Sequence, residues 1–103
     1  MPQDAFAILA EPARRKLLDE LRRGERSVND LVARLRMPQP SVSKHLKVLR
    51  EAGFVASRVA AQQRIYRLQF QRMKAVDAWL KPYRLLWSRH LDALERHLDR
   101  MEE

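Results

Sequence analysis

The sequence predicts a mainly α-helical fold with one two-stranded β-hairpin, and three observations support this fold class. Apolar residues recur at three- and four-residue steps through the first half of the chain. The pattern changes to strand-like alternation after Gly53, and the helical period returns at Gln71. Because 103 residues is the length of one ordinary domain, we expect a single domain over 1–103.

Two short helices are predicted at the start of the chain. The first is "DAFAILA" (4–10), whose apolar residues Phe6 and Leu9 need a partner surface. Pro12 fits the first turn of the second helix, where a missing N–H costs little. That helix continues through "ARRKLLDELRR" and is expected to stop near Gly24, a residue type that commonly caps helix C-termini.

The third and fourth helices flank a short break that contains Pro38. In the third, "SVNDLVARL" starts with a serine and has an aspartate three residues later, a near match to a capping box. The fourth helix is predicted over 39–51. Its residues Val42, Leu46 and Leu49 cluster on one face at about 100° per residue, and we expect this face to be buried.

The opposite face of the fourth helix is small near its start and basic beyond it. Ser41 and Ser43 lie there together with Lys44 and Lys47. Small residues let a helix settle deep in a DNA major groove, which is about 12 Å wide, and lysines at its edges reach phosphates. His45 lies at the edge of the apolar face, where a hydrogen bond to DNA and a packed structural role are both open.

The hairpin is predicted from "FVASRVA" (54–60) and "RIYRLQF" (64–70), which flank "AQQ". A two-stranded ribbon is marginal by itself, so it must pack on the helices. Arg58 and Arg64 fall near its turn. This order of elements predicts a winged helix-turn-helix, in which the fourth helix enters the major groove and the hairpin, called the wing, lies beside it.

The chain from 71 onward is predicted to be helical, with Pro82 expected to kink this segment or split it into two helices. Its apolar stripe covers more than six turns, which a small winged-helix core (11–70) cannot cover from one side. Pairing of two copies across a two-fold axis would bury the stripe in 71–103, with 1–10 as a second layer. The predicted dimer interface comprises Phe6, Leu9, Trp79, Tyr83, Leu86, Trp87, Leu91, Leu94 and Leu98.

Positive charge is concentrated before residue 71. The chain has 21 Lys+Arg and 13 Asp+Glu, a formal net charge of +8. Residues 1–70 contain 14 basic and 7 acidic side chains, whereas 71–103 contain 7 and 6. Between 36 and 67, seven basic residues are opposed only by Glu51. Such a local field suits a polyanion, and double-stranded DNA is the expected partner.

Composition and motifs exclude several other functions. There are no cysteines, which excludes disulfides, thiolate metal sites and thiol redox chemistry. No segment approaches the roughly 18–20 unbroken apolar residues that span a bilayer, and the amino terminus does not resemble a secretory signal, so we expect a cytoplasmic location without membrane contact. Phosphate-binding loops, nucleophile elbows and paired histidine–carboxylate motifs do not occur, so neither enzyme activity nor a cofactor is expected.

The run "ILAEPARRKLLDELRRGERSVNDLVARLRMPQPSVSKHLKVLREAGFV", followed by "YRL" in the second strand, closely resembles the ArsR/SmtB family of bacterial winged-helix repressors. "SVSKHLKVLREAGFV" is its most specific part, and the resemblance covers roughly 5–70. The aromatic tail "WLKPYRLLWSRHLDALERHL" is similar to a cysteine-free, SdpR-like subgroup. The resemblance implies DNA contacts from the recognition helix at Gln39, Ser41, Ser43, Lys44 and His45, and from the wing at Arg58 and Arg64.

The sequence departs from the family pattern at several positions. The wing tip "AAQQ" lacks the glycine often seen there, and Pro38 stands where many relatives have a capping serine. The cysteine pair of arsenic- and cadmium-type sensors is absent from "ERSVNDL". His90 and His97 lie about 10.5 Å apart along one helix, too far to bind one ion from a single chain. We therefore expect no metal, although an intersubunit site with nearby carboxylates stays open.

The sequence thus predicts a homodimeric transcriptional repressor that binds an inverted-repeat operator, with two recognition helices about one DNA turn apart. One alternative is a repressor that responds to a small molecule held between the aromatic terminal helices, in a pocket lined by Trp79, Tyr83 and Trp87. Another is a protein-interaction module whose exposed aromatic tail binds a partner chain.

Overall fold

The computed structural model describes residues 4–102 and arranges them as five α-helices and a three-stranded antiparallel sheet. Residues 1–3 and 103, which belong to the predicted dimerisation segments 1–10 and 71–103, lie outside the described residues. The elements in chain order are α1 (Ala5–Ala10), α2 (Pro12–Leu21), β1 (Arg26–Ser27), α3 (Val28–Leu35), α4 (Gln39–Glu51), β2 (Val55–Ala60), β3 (Gln63–Leu68) and α5 (Gln71–Glu102).

The predicted mainly helical fold with a hairpin wing is confirmed, with one addition. The wing forms between β2 and β3, with Val55 opposite Leu68. The added strand is β1, which pairs with the other side of β3 and places Ser27 opposite Ile65. The sheet order β1-β3-β2 therefore ties the wing to the start of α3. Two residues are too few to show an alternating pattern, so the sequence did not reveal β1.

The C-terminal segment is one continuous helix. Of the two effects expected of Pro82, a kink or a split, the split is therefore wrong. Proline removes one helical hydrogen bond and crowds one turn. The turns on both sides are rich in good helix formers, so the helix continues through it. Its 32 residues span about 48 Å at 1.5 Å per residue, which explains most of the 64 Å long axis of the molecule.

The core lies where the first four helices meet the sheet. From α4, Val42, Leu46 and Leu49 are each 0% exposed, which confirms the predicted buried face. They share one cluster with Ile8 of α1 and Phe54. Met73 and Val76 at the start of α5 pack against this cluster as well. The core therefore fixes α4 and the base of α5 in one body.

The start of α3 is held by the predicted capping box. The backbone N–H of Asp30 donates to Ser27 Oγ over 3.1 Å, and the backbone N–H of Ser27 donates to Asp30 Oδ2 over 3.4 Å. One turn later, Arg34 Nε donates to Glu20 Oε2 of α2 over 2.7 Å. That hydrogen bond lowers the pKa of the Glu20 carboxyl. Together these contacts orient α3 relative to α2.

Two arginines of α2 satisfy the end of α1. Arg14 Nε donates to the carbonyl of Ile8 over 2.7 Å, and Arg15 Nη1 donates to the carbonyls of Leu9 and Ala10 over 2.6 and 3.0 Å. The last carbonyls of a helix have no partner within the helix, and α1 has no basic residue in its own last turn. Arg14 and Arg15 therefore have a structural role, because they cap the C-terminus of α1.

Replacing Leu46 by alanine should lower the free energy of unfolding by about 2–5 kcal/mol, because it opens a cavity under α4. The neighbouring Lys47→Ala is the control: its side chain is exposed, so the change should stay within about 0.5 kcal/mol. Urea unfolding monitored by circular dichroism measures both. Equal losses in the two variants would contradict the placement of α4.

Candidate nucleic-acid interface

The outer face of α4 is the accessible side of a helix whose inner face is fully buried. Since the inner face is packed in the core, the rotation of the helix about its axis is fixed. Gln39 Nε2 donates to Ser43 Oγ over 3.3 Å and joins the first two turns on this outer face. All the predicted contacts on α4 are accessible: Gln39, Lys44 and Lys47 are exposed, and Ser41, Ser43 and His45 are partly exposed.

The first turn of α4 has no side-chain cap. Pro38 occupies the capping position and Pro40 lies in the first turn. Neither proline has an N–H, so this helix start has fewer unsatisfied donors than usual. That explains how the helix tolerates Pro38 in place of a capping serine. The N–H groups of Gln39 and Ser41 have no side-chain acceptor among the described residues.

His45 packs on one ring edge and is accessible on the other. Its Nδ1 is buried and has no hydrogen-bond partner among the described residues, while the residue as a whole is half-buried. The two roles that the sequence left open are thus compatible in one side chain.

The wing turns through Ala61 and Gln62, which have φ of 52° and 66°. Positive φ at both central residues is the requirement of a type I′ hairpin turn, for which Asn-Gly is preferred. Neither residue here is favoured in that conformation, so the turn carries backbone strain. The connection is one residue shorter than the predicted "AQQ", because Gln63 pairs with Ala60 in the sheet.

The two arginines of the wing are not equivalent. Both are exposed, but Arg58 Nη2 donates to Glu25 Oε2 over 2.8 Å and forms an ion pair. Arg64 forms no ion pair within residues 4–102. No local pattern indicated this difference, because Glu25 and Arg58 are 33 residues apart. Arg64 is therefore the freer cation of the wing.

An open depression of about 190 Å³ lies between the start of α3, the start of α4 and the wing tip. It brings together residues that the sequence keeps far apart. Five of them were not among the predicted contacts: Ser27, Val28, Asn29, Gln62 and Gln63. The only sequence signal for this site was the pair of glutamines at the wing tip, where relatives often have glycine. The depression is lined by Ser27, Val28, Asn29, Gln39, Gln62, Gln63 and Arg64.

The terminal helices present the predicted apolar surface. Phe6 and Trp79 meet edge to face with ring centroids 5.1 Å apart, and Trp79 contacts Tyr83 at 4.7 Å. Leu9 differs from the rest of the predicted set, since it is partly buried against the core. A ligand pocket lined by Trp79, Tyr83 and Trp87 stays a prediction. The exposed members of the predicted interface are Phe6, Trp79, Tyr83, Leu86, Trp87, Leu91, Leu94 and Leu98.

Residues 4–102 contain no cluster of metal ligands and no helix that could span a membrane. No three His, Asp or Glu side chains of this part of the chain converge in a way that could hold an ion. None of its helices is both long enough and apolar enough to cross a bilayer.

Residues 11–57 match the family described as "Bacterial regulatory protein, arsR family". The chain is 33% identical over 98 residues to the HTH-type transcriptional regulator Rv2034 of Mycobacterium tuberculosis, and the alignment covers 95% of this chain and 89% of that protein. The chain belongs to the ArsR family. This ArsR-family protein is thus a transcriptional regulator with a winged helix-turn-helix, and its family is not one of enzymes.

Two further comparisons support the assignment to the ArsR family. The ArsR-family chain is 27% identical over 77 residues to the transcriptional repressor SdpR of Bacillus subtilis, covering 75% of this chain and 86% of that protein. A crystal structure of an ArsR family transcriptional regulator matches it with a TM-score of 0.70 and 31% identity, covering 85% of this chain and 97% of the other. The family resemblance inferred from "SVSKHLKVLREAGFV" is confirmed.

Replacing Glu25 by glutamine should release Arg58 and strengthen binding to random-sequence duplex DNA. One freed cation adds at most about 0.9 to the salt slope of binding. Fluorescence anisotropy at graded salt measures the change. In an Arg58→Gln background the same Glu25 substitution should have no effect; an equal gain there would show that Glu25 acts only through the general charge.

Proposed function

We propose that the protein is a homodimeric repressor that binds an inverted-repeat operator in double-stranded DNA through α4 and the wing. The observation that carries this proposal is the small, basic outer face of α4, held opposite a fully buried inner face. A helix with its rotation fixed presents the same side chains to the major groove at every encounter. That is what reading a sequence requires.

The charged and the uncharged polar side chains of the proposed interface have different roles. Lys44 and Lys47 of α4 and Arg64 of the wing are exposed cations, suited to phosphate contacts that give affinity without base preference. Arg58 contributes less while it is paired with Glu25. Base edges are read by the short polar side chains between the lysines and the helix start: Gln39, Ser41, Ser43 and His45.

The apolar surface of α5 supports the homodimer. Trp87, Leu91, Leu94 and Leu98 are 65%, 49%, 47% and 51% exposed in the single chain. Contiguous exposed apolar surface of this extent marks an interaction site, and a two-fold axis lets one stripe cover its own copy. The aromatic contact between Phe6 and Trp79 joins α1 to the same surface. Dimerisation also sets two α4 helices about 34 Å apart on the duplex.

Selection from a random duplex pool should recover an inverted repeat bound by two chains. On that operator, Lys44→Ala should weaken binding to all sequences and reduce the salt slope by about 0.9. Ser43→Ala should instead change which base is preferred at one position of each half-site.

Lys16→Ala is the matched control, since it removes an exposed lysine of α2 outside the predicted interface. It should leave affinity and slope unchanged. Uniform weak binding without a recovered motif would contradict the proposed function, and an unchanged base preference in Ser43→Ala would remove that residue from the reading set.

Leu94→Glu should convert the dimer into monomers, because the partner stripe would bury a carboxylate. Ser88→Glu places the same side chain on α5 but off the stripe, about 120° around the helix at 100° per residue, and should remain dimeric. Analytical ultracentrifugation measures both. If Leu94→Glu stays dimeric at the concentration where Ser88→Glu does, the interface lies elsewhere.

A further inference from the structure

The depression between α4 and the wing lies where a DNA backbone must pass. If α4 occupies the major groove and the wing the adjacent minor groove, the sugar–phosphate strand that separates the two grooves runs between them. The 190 Å³ depression occupies that interval, bounded by the start of α4 on one side and the wing tip on the other. An inference about its ligand therefore rests on the proposed function.

The lining of the depression is rich in donors and contains no acidic residue. The side-chain amides of Asn29, Gln62 and Gln63 are exposed and make no hydrogen bond to any side chain or backbone group of residues 4–102. Gln39 uses one amide hydrogen on Ser43. Asp30, which follows Asn29 in the chain, accepts a hydrogen bond from the backbone N–H of Ser27 through its carboxylate.

We propose that this depression binds one phosphodiester group of the operator backbone, mainly through the uncharged amides of Asn29, Gln62 and Gln63. Arg64 is the single cation of its lining. The non-bridging phosphate oxygens accept hydrogen bonds, and the NH2 group of a side-chain amide donates them. Uncharged donors, however, release no counterions. This contact adds affinity and fixes the register of the protein on the duplex without steepening the salt dependence.

The backbone strain in the wing turn also supports a ligand contact by Gln62. Gln62 has φ of 66°, a conformation that glycine adopts without cost and that a side chain disfavours. A glycine there would relieve the turn but would take one amide out of the depression. Ala61 shares this strain, but only Gln62 of the two lines the depression. Backbone strain that is kept at a residue whose side chain is needed is a feature of ligand-binding positions.

The substitution Gln62→Gly separates the relief of backbone strain from the loss of the amide donor. The substitution should raise Tm by a few degrees, because the turn relaxes, while operator affinity falls roughly tenfold through the loss of one donor to a charged acceptor. The salt slope should stay parallel to that of the unmodified protein. Arg64→Gln should weaken binding and also reduce the slope by about 0.9. Gln71→Ala is the control, because it removes an exposed amide that lies outside the depression. It should change neither the operator affinity nor the salt slope.

Operators in which single phosphates are replaced by neutral methylphosphonates locate the contact. At one position in each half-site, the methylphosphonate should lower the affinity of the unmodified protein. The same substitution should not lower the affinity of Gln62→Gly or Asn29→Ala any further. Tighter or unchanged binding by Gln62→Gly, or full additivity at every phosphate, would overturn the phosphate contact while operator binding itself stands. Absence of operator binding would instead defeat the proposed function. Stabilisation by inorganic phosphate alone, with no coupling to a DNA phosphate, would assign the depression to a free anion and overturn the proposal.

Discussion

The burial of one face of α4 is the constraint on which the rest of the structure depends. Val42, Leu46 and Leu49 have no exposed surface. Turning the helix far enough to expose one of them would cost about 1.5–3 kcal/mol in apolar contact with water, a large share of the stability of a small domain. The helix therefore has one orientation, and its outer face is a consequence of its inner face. The face that we propose for DNA recognition is therefore positioned by the packing of apolar side chains.

The sheet extends this constraint from α4 to the wing. A hairpin joined only through its own two strands would be free to swing. Here β1 pairs with β3, and β1 leads directly into α3 through the Ser27 cap. The wing tip, the start of α3 and the start of α4 consequently hold a fixed spacing. The depression lined by donors is formed jointly by these three segments, and none of them would form it alone.

The positive charge of the chain has several uses, and net charge alone overstates what DNA can meet. Arg14 and Arg15 satisfy the carbonyls at the end of α1, and Arg34 pairs with Glu20. Arg58 is paired with Glu25. Ion pairs at the surface are individually weak, so their main effect here is to remove free cations from the field. The cations left on the proposed interface are Lys44, Lys47 and Arg64.

The sequence by itself determined the first four helices and the hairpin of the wing, because these depend on neighbouring residues. Pro12 at a helix start, the Ser27 cap and the apolar period of α4 act within a few positions, and the family resemblance followed from the same segments. Tertiary structure decided what distant residues do together. Glu25 meets Arg58, and Gln62 meets the start of α3, only after the chain folds. No local pattern encodes such pairs, because the distance between them is set by the core and not by the spacing along the chain.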